Sequence, residues 1–142
     1  MIRYDITPDT DSIDIKIIEE LTNNSKITCK ELSDRVNLSI PRVYERVKRL
    51  EERAVIEGYH AKINLKKLGY GIHAFILIKT DKYVGDMSEM LRETEYVYDL
   101  WVLSGECNYM LEVYVKEMDD LSRLANDLYS KIGRTHTFIV MN

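Results

Sequence analysis

Apolar residues recur at helical spacing through the first third of the chain and alternate with polar ones through much of the second half. Ile13, Ile17, Ile18 and Leu21 share one helical face. Asp11 precedes them as an N-cap, and Asp14 stands at N3, where a carboxylate favours the first turn. Asn23-Asn24-Ser25 closes this first helix. A second helix opens at Thr28, with Glu31 three residues on in capping-box spacing, and buries Leu32 and Val36. Asn37 can take the left-handed conformation that ends a helix, and Leu38 plugs the turn. Ser39 caps a third helix. Pro41 falls in its first turn, where a missing N–H costs little. Val43, Val47 and Leu50 form its inward stripe. Two short helices, a three-residue turn and a longer basic helix make a helix-turn-helix pattern.

Residues 55–63 alternate loosely around Gly58 and predict a wing or linking strand. Leu65 to Leu68 reads as one helical turn closed by Gly69, and Gly69-Tyr70-Gly71 breaks any regular pattern. Beyond it the pattern predicts a strand over 72–80, a helix over 85–94 carrying Met87, Met90 and Leu91, and a strand over 96–104. A turn from Gly105 to Asn108 follows, then a strand over 109–116, an amphipathic helix over 118–131 and a last strand over 134–141. This β-α-β-β-α-β order is the ferredoxin-like plan. The expected fold class is α+β: an N-terminal arm at 1–10, a winged helix-turn-helix over 11–63, a linker at 64–71 and a ferredoxin-like domain over 72–142.

Composition adds little until charge is placed along the chain. The 142 residues are 45% hydrophobic and 31% charged, an ordinary globular mix. Residues 1–68 carry 13 Lys/Arg against 12 Asp/Glu, residues 69–142 carry 7 against 12, so +1 and −5 give the net −4. A phosphate-binding face therefore belongs in the first half. No run of 18 apolar residues suggests a membrane span, and the N-terminus lacks the apolar stretch of a signal peptide, which predicts a cytosolic protein. Cys29 and Cys107 are read as free thiols. His60, His73 and His136 are scattered without metal-ligand spacing, and no cofactor motif is present.

The chemistry lies in the third helix. DNA affinity comes mainly from Lys and Arg on phosphates, and specificity from side chains at base edges. Arg42, Arg46, Lys48, Arg49 and Arg53 supply the cations, with Glu45, Glu51 and Glu52 interleaved. Arginine can read guanine bidentately, and Ile40 or Tyr44 can meet a thymine methyl. Ser39 and the free N–H groups behind Pro41 suit a phosphate oxygen. The candidate DNA-binding set is Thr28, Ser39, Ile40, Pro41, Arg42, Tyr44, Glu45, Arg46, Lys48 and Arg49. One such face binds weakly, so a dimer reading two half-sites is expected. No catalytic constellation stands out: Asp119-Asp120 reads as a solvated helix start and Cys107 as a turn thiol.

Four stretches resemble the leucine-responsive/asparagine regulator (Lrp/AsnC) family. Asp11 to Ile18 is similar to its D-x-x-D-x-x-I-L, Glu31 to Ser39 to its E-L-A-x-x-V-G-L-S, and Val43 to Glu51 to its V-x-x-R-V-x-x-L-E. Val55 to Tyr59 with Leu68-Gly69 is similar to its V-I-x-G-Y and L-G. More weakly, Gly105 to Leu111 resembles G-x-x-D-Y-x-L and Thr135-His136-Thr137 a T-x-T before the final strand. The resemblance implies a homodimer formed through the sheet domain, assembling further to a tetramer or octamer, that binds double-stranded DNA and takes an amino acid or related small molecule as effector. By residue match the effector site would involve Gly105, Glu106, Asn108 and Tyr109. Asn108 stands where the family usually has Asp, and an amide does not hold an ammonium group as a carboxylate does, leaving Glu106 to supply the charge. Ala54 replaces the usual glycine after the recognition helix, and Asn23 to Lys26 replaces an Asp-Gly-Arg turn.

Two other readings stay open on sequence. Some proteins of this architecture decarboxylate a tetrapyrrole, but here the sheet domain offers only His73 and His136. An interaction module that needs no effector is the other.

Overall fold

The computed structural model describes residues 7, 9–81 and 87–141; most of the 1–10 arm and the first residues of the helix expected at 85–94 lie outside them. The chain divides into two compact units, Met1–Lys62 and Ile63–Asn142.

The first unit packs three helices, α1 (Ser12–Asn23), α2 (Cys29–Val36) and α3 (Ile40–Glu52). Its core is the inward stripe of each: Ile17 from α1, Leu32 and Val36 from α2, Val43 and Leu50 from α3. Ile13, Ile18, Leu21, Leu38 and Val47 close around them. Two reciprocal capping boxes fix where helices begin. Asp11 Oδ1 accepts the Asp14 N–H at 2.9 Å while Asp14 Oδ2 accepts the Asp11 N–H at 3.2 Å. Thr28 Oγ1 accepts the Glu31 N–H at 3.2 Å while Glu31 Oε2 accepts the Thr28 N–H at 2.9 Å. Asn37 closes α2 in the left-handed region at φ 54°. The turn from α2 to α3 is thus set by a cap, a left-handed residue and a buried leucine.

Residues 55–63 form no strand. Among the described residues no strand pairs with this segment, and alternation alone supplies no hydrogen bonds to its backbone.

The second unit opens with a 3₁₀ turn, Leu65–Leu68, closed by Gly69 at φ 93°. It continues with β1 (Ile72–Lys79), α4 (Ser88–Arg92), β2 (Val97–Val102), β3 (Tyr109–Val115), α5 (Met118–Lys131) and β4 (Arg134–Ile139). The sheet is antiparallel in the order β2-β3-β1-β4, as a ferredoxin-like domain requires. Ala74, Ile76 and Ile78 of β1 and Leu111, Val113 and Val115 of β3 face Leu91, Leu121, Leu124 and Leu128 of the helices. The opposite sheet face carries His73, Phe75 and Leu77 beside Met110, Glu112, Tyr114 and Phe138. Strand β2 and the helix expected at 85–94 are shorter than the sequence pattern suggests. Strand β2 starts at Val97 because Tyr96 sits at φ 70°, outside the extended region. The described part of the 85–94 helix holds only one short turn of α-helix, Ser88–Arg92. Gly133 lets β4 turn off α5: a Cβ there would stand 2.3 Å from the Lys79 carbonyl oxygen. Among the described residues no helix is long and apolar enough to cross a membrane.

Candidate nucleic-acid interface

Helix α3 is held by Val43 and Leu50, both fully buried, with Val47 packed beside them, and its opposite side faces outward. Ile40 is 46% and Tyr44 62% exposed, on a helix whose inward stripe is already filled. With Lys48 they form one exposed row at i, i+4, i+8. Pro41, Arg42 and Glu45 are exposed as well. Ser39 caps by backbone alone; its hydroxyl makes no cap bond and is available at the helix N-terminus. Thr28, by contrast, spends its side chain on Glu31, accepting one bond and donating another at 2.8 Å.

The cations divide into two kinds. Arg42, Arg46, Arg49 and Arg53 recur at i, i+4, i+7, i+11 and so make one stripe. Three of the four are engaged within the unit. Arg46 Nη1 donates to Asp11 Oδ2 at 2.8 Å and Asp14 Oδ1 at 2.7 Å. Arg49 Nη2 donates to Asp14 Oδ2 at 2.8 Å. Arg53 Nη1 lies 3.1 Å from Asp9 Oδ1. Its hydrogen bonds to Asp11 and Asp14 hold the Arg46 guanidinium above its ordinary pKa. The Asp14 N–H and Arg46 lower that of the Asp11 carboxyl. Lys48 makes only a long 3.5 Å pair with Glu52 on the surface, worth little in water. Arg42 has no ion-pair partner among the described residues. Arg46 and Arg49 are therefore less free than the sequence suggested. The three aspartates that hold the stripe were missed as its partners; the signal was an acid pair at helical spacing opposite a basic helix.

The turn between β2 and β3 brings the other candidate residues together. The Leu103 N–H donates to the Asn108 carbonyl, and the Asn108 N–H to that of Ile78, each at 2.8 Å. Asn108 Oδ1 accepts the Thr80 N–H at 2.8 Å. The Asn108 side chain thus ties the turn to the end of β1. Gly105 lies at φ 139°, where a side chain would be strained. The Glu106 carboxylate is 86% exposed and 3.9 Å from Lys79 Nζ. Tyr109 instead packs its ring into the core. The two histidines weighed for tetrapyrrole chemistry do not meet: His73 stacks on Tyr114 with ring centroids 4.3 Å apart and its Nε2 lies 2.8 Å from Glu112 Oε1. His136 stands exposed on β4, opposite Leu77.

Two families match the chain, one for each unit. A winged helix-turn-helix DNA-binding model matches residues 10–57, and the Lrp/AsnC ligand binding domain matches residues 73–142. The HTH-type transcriptional regulator LrpA of Bacillus subtilis is 36% identical over 120 residues, covering 83% of this chain and 88% of the relative. The chain belongs to the Lrp/AsnC family. It is a DNA-binding transcription regulator of the Lrp/AsnC type. Among solved structures, B. subtilis LrpC superposes with a TM-score of 0.86 at 25% identity, covering 94% of this chain and 95% of that one. A feast or famine regulatory protein from M. tuberculosis, complexed with L-methionine, superposes at 0.84 and 32% identity, covering 93% and 92%.

Within the Lrp/AsnC frame the departures have structural readings. Asn108 supplies the acceptor oxygen that a carboxylate would, and keeps the turn without the charge. Ala54 sits at φ 54°, the left-handed position a glycine would occupy freely. At the α1–α2 turn Asn24 Oδ1 accepts the Lys26 N–H at 3.1 Å, an Asx-type closure in place of the family's Asp-Gly-Arg.

Proposed function

We propose that this Lrp/AsnC regulator reads duplex DNA through Ile40, Pro41, Arg42, Tyr44, Glu45 and Lys48 of α3, with Ser39 at a backbone phosphate. The observation that carries this reading is the exposed row of Ile40 and Tyr44 on a helix already packed by its other side. A buried apolar stripe needs no second one, and a major groove presents thymine methyls and acceptor edges to such a row. Arg46 and Arg49 contribute to the set through whatever donors their aspartates leave. Thr28, occupied in its capping box, offers little beyond its backbone.

The uncovered sheet face, with Phe75, Leu77, Met110 and Phe138, supports a dimer in which a second copy covers it. Two copies give two half-sites and the affinity one helix lacks. The turn at Gly105, Glu106 and Asn108, with the backbone of Tyr109, is the proposed place for an effector carrying an ammonium group, Glu106 supplying the charge. Its exposure and its link to β1 support that placement.

A mobility-shift assay on DNA upstream of the protein's own coding region, run at low and high salt, tests the DNA reading. A retarded band that weakens steeply as salt rises is expected. No retardation at low salt would remove the interface assignment.

A further inference from the structure

The acidic start of the first unit meets the basic helix along its length. Asp9, Asp11 and Asp14 hold Arg53, Arg46 and Arg49 respectively, and Asp14 also takes the second bond from Arg46. Asp14 is 1% exposed, so its charge is not diluted by solvent, and its two arginine bonds are short and charge-assisted. The partners lie 32 to 44 positions apart in sequence, so the pairing belongs to the fold and not to helix periodicity. Along the stripe the pairing stops at Arg42, in the first turn of α3, the end that recognition helices present to base edges.

We infer that these aspartates are positioning residues: they act as an internal counter-charge that withholds Arg46, Arg49 and Arg53 from the phosphate backbone and leaves Arg42 as the stripe's free cation at the DNA. This rests on the reading of α3 as the DNA-facing helix. Its physical consequence is selectivity. Each cation that reaches a phosphate adds sequence-independent affinity by releasing a counterion, and such pairings tighten binding to any duplex alike. A helix whose arginines are already neutralised gains less from random DNA. It depends more on Arg42, Tyr44 and Ile40, the groups able to tell bases apart. The Arg46 guanidinium is raised by the same pairing, and the Asp11 carboxyl is lowered first by the Asp14 N–H and then by Arg46.

The test is the slope of log affinity against log salt, measured by fluorescence anisotropy on a specific and a random duplex. The variant Asp9→Asn/Asp11→Asn removes two charges, frees Arg53 and leaves Arg46 to Asp14 alone, while Arg49 stays held; asparagine caps a helix as well as aspartate does, so α1 keeps its start. The expected result is a steeper slope, by about 0.9 for each additional phosphate neutralised per protomer. Random-duplex affinity rises several-fold and the specific-to-random ratio falls. Asp34→Asn, which removes an exposed charge on α2 that makes no ion pair among the described residues, should leave the slope as in the parent. A slope unchanged or shallower in Asp9→Asn/Asp11→Asn, with circular dichroism as in the parent, overturns the inference, as does an equal shift in Asp34→Asn. Absence of DNA binding by the parent protein would instead remove the reading of α3 itself.

Discussion

Asp14 on α1 and Arg49 on α3 stand 35 positions apart, yet Asp14 Oδ2 accepts a bond from Arg49 Nη2 at 2.8 Å. The same carboxylate accepts from Arg46 and from the Asp11 N–H. One buried side chain thus begins α1 and fastens α3 to it. Replacing it with alanine leaves Arg49 without its carboxylate and Arg46 with Asp11 alone, both guanidinium groups being only partly open to solvent. Asp14→Ala should destabilise the first unit by about 3 kcal/mol, as breaking a buried pair does. Urea unfolding followed by circular dichroism would measure it; a change within about 0.5 kcal/mol would mean the pairing is incidental.

Ala54 gives a prediction of opposite sign. Its φ of 54° costs a non-glycine residue roughly 1–2 kcal/mol, while glycine adds about 0.4–1 kcal/mol of unfolded-state entropy. Ala54→Gly should therefore stabilise by up to about 1 kcal/mol and raise Tm by a few degrees. Calorimetry checks this, and a lowered Tm contradicts it.

The pH dependence follows from Asp11. Its carboxyl is held low first by the Asp14 N–H and then by Arg46. A folded pKa below the unfolded value stabilises the fold above the unfolded value, about 3.9 for aspartate. That contribution is lost as pH falls through the lower folded value. Acid unfolding of Asp11→Asn should start from a lower plateau at neutral pH and fall less between about pH 5 and 2.5. Parallel curves for the two proteins would show that Asp11 does not carry this linkage.

Asn108 separates structure from ligand binding. Asn108→Ala removes the Oδ1 that accepts the Thr80 N–H and should cost about 1–2 kcal/mol. Asn108→Asp keeps an acceptor oxygen and restores the family's charge, so its stability should stay within about 0.5 kcal/mol. Its thermal shift with L-methionine should exceed the parent's. Equal shifts in both would place the ammonium-binding charge elsewhere.

What the sequence made legible was local or periodic. Ile13, Ile17 and Leu21, then Val43 and Leu50, announce their helices because the core accepts one face of each. Thr28 with Glu31 and Asn37 mark the ends of α2 by chemistry that needs no tertiary contact. Alternation through Ala74, Ile76 and Ile78 marks β1 for the same reason. Long-range requirements stayed hidden. Nothing in the spacing of Arg46 and Arg49 says that Asp14 will occupy them, because the partners meet only after folding. Residues 55–63 alternate like a strand, but a strand also needs a neighbour, which no local pattern supplies. Gly133 is required by the Lys79 carbonyl beside it, a closeness set by the packing of α5 against the sheet.

The outward face of α3 is the surface proposed to read DNA, and Arg42 is its most exacting test. Binding of Arg42→Ala to a specific duplex and to a random one, compared by anisotropy at fixed salt, measures that claim directly. The expected result is a loss of about 1–3 kcal/mol on the specific duplex and a smaller loss on the random one, so that discrimination narrows. Unchanged affinity for both duplexes, with the fold intact, would contradict it.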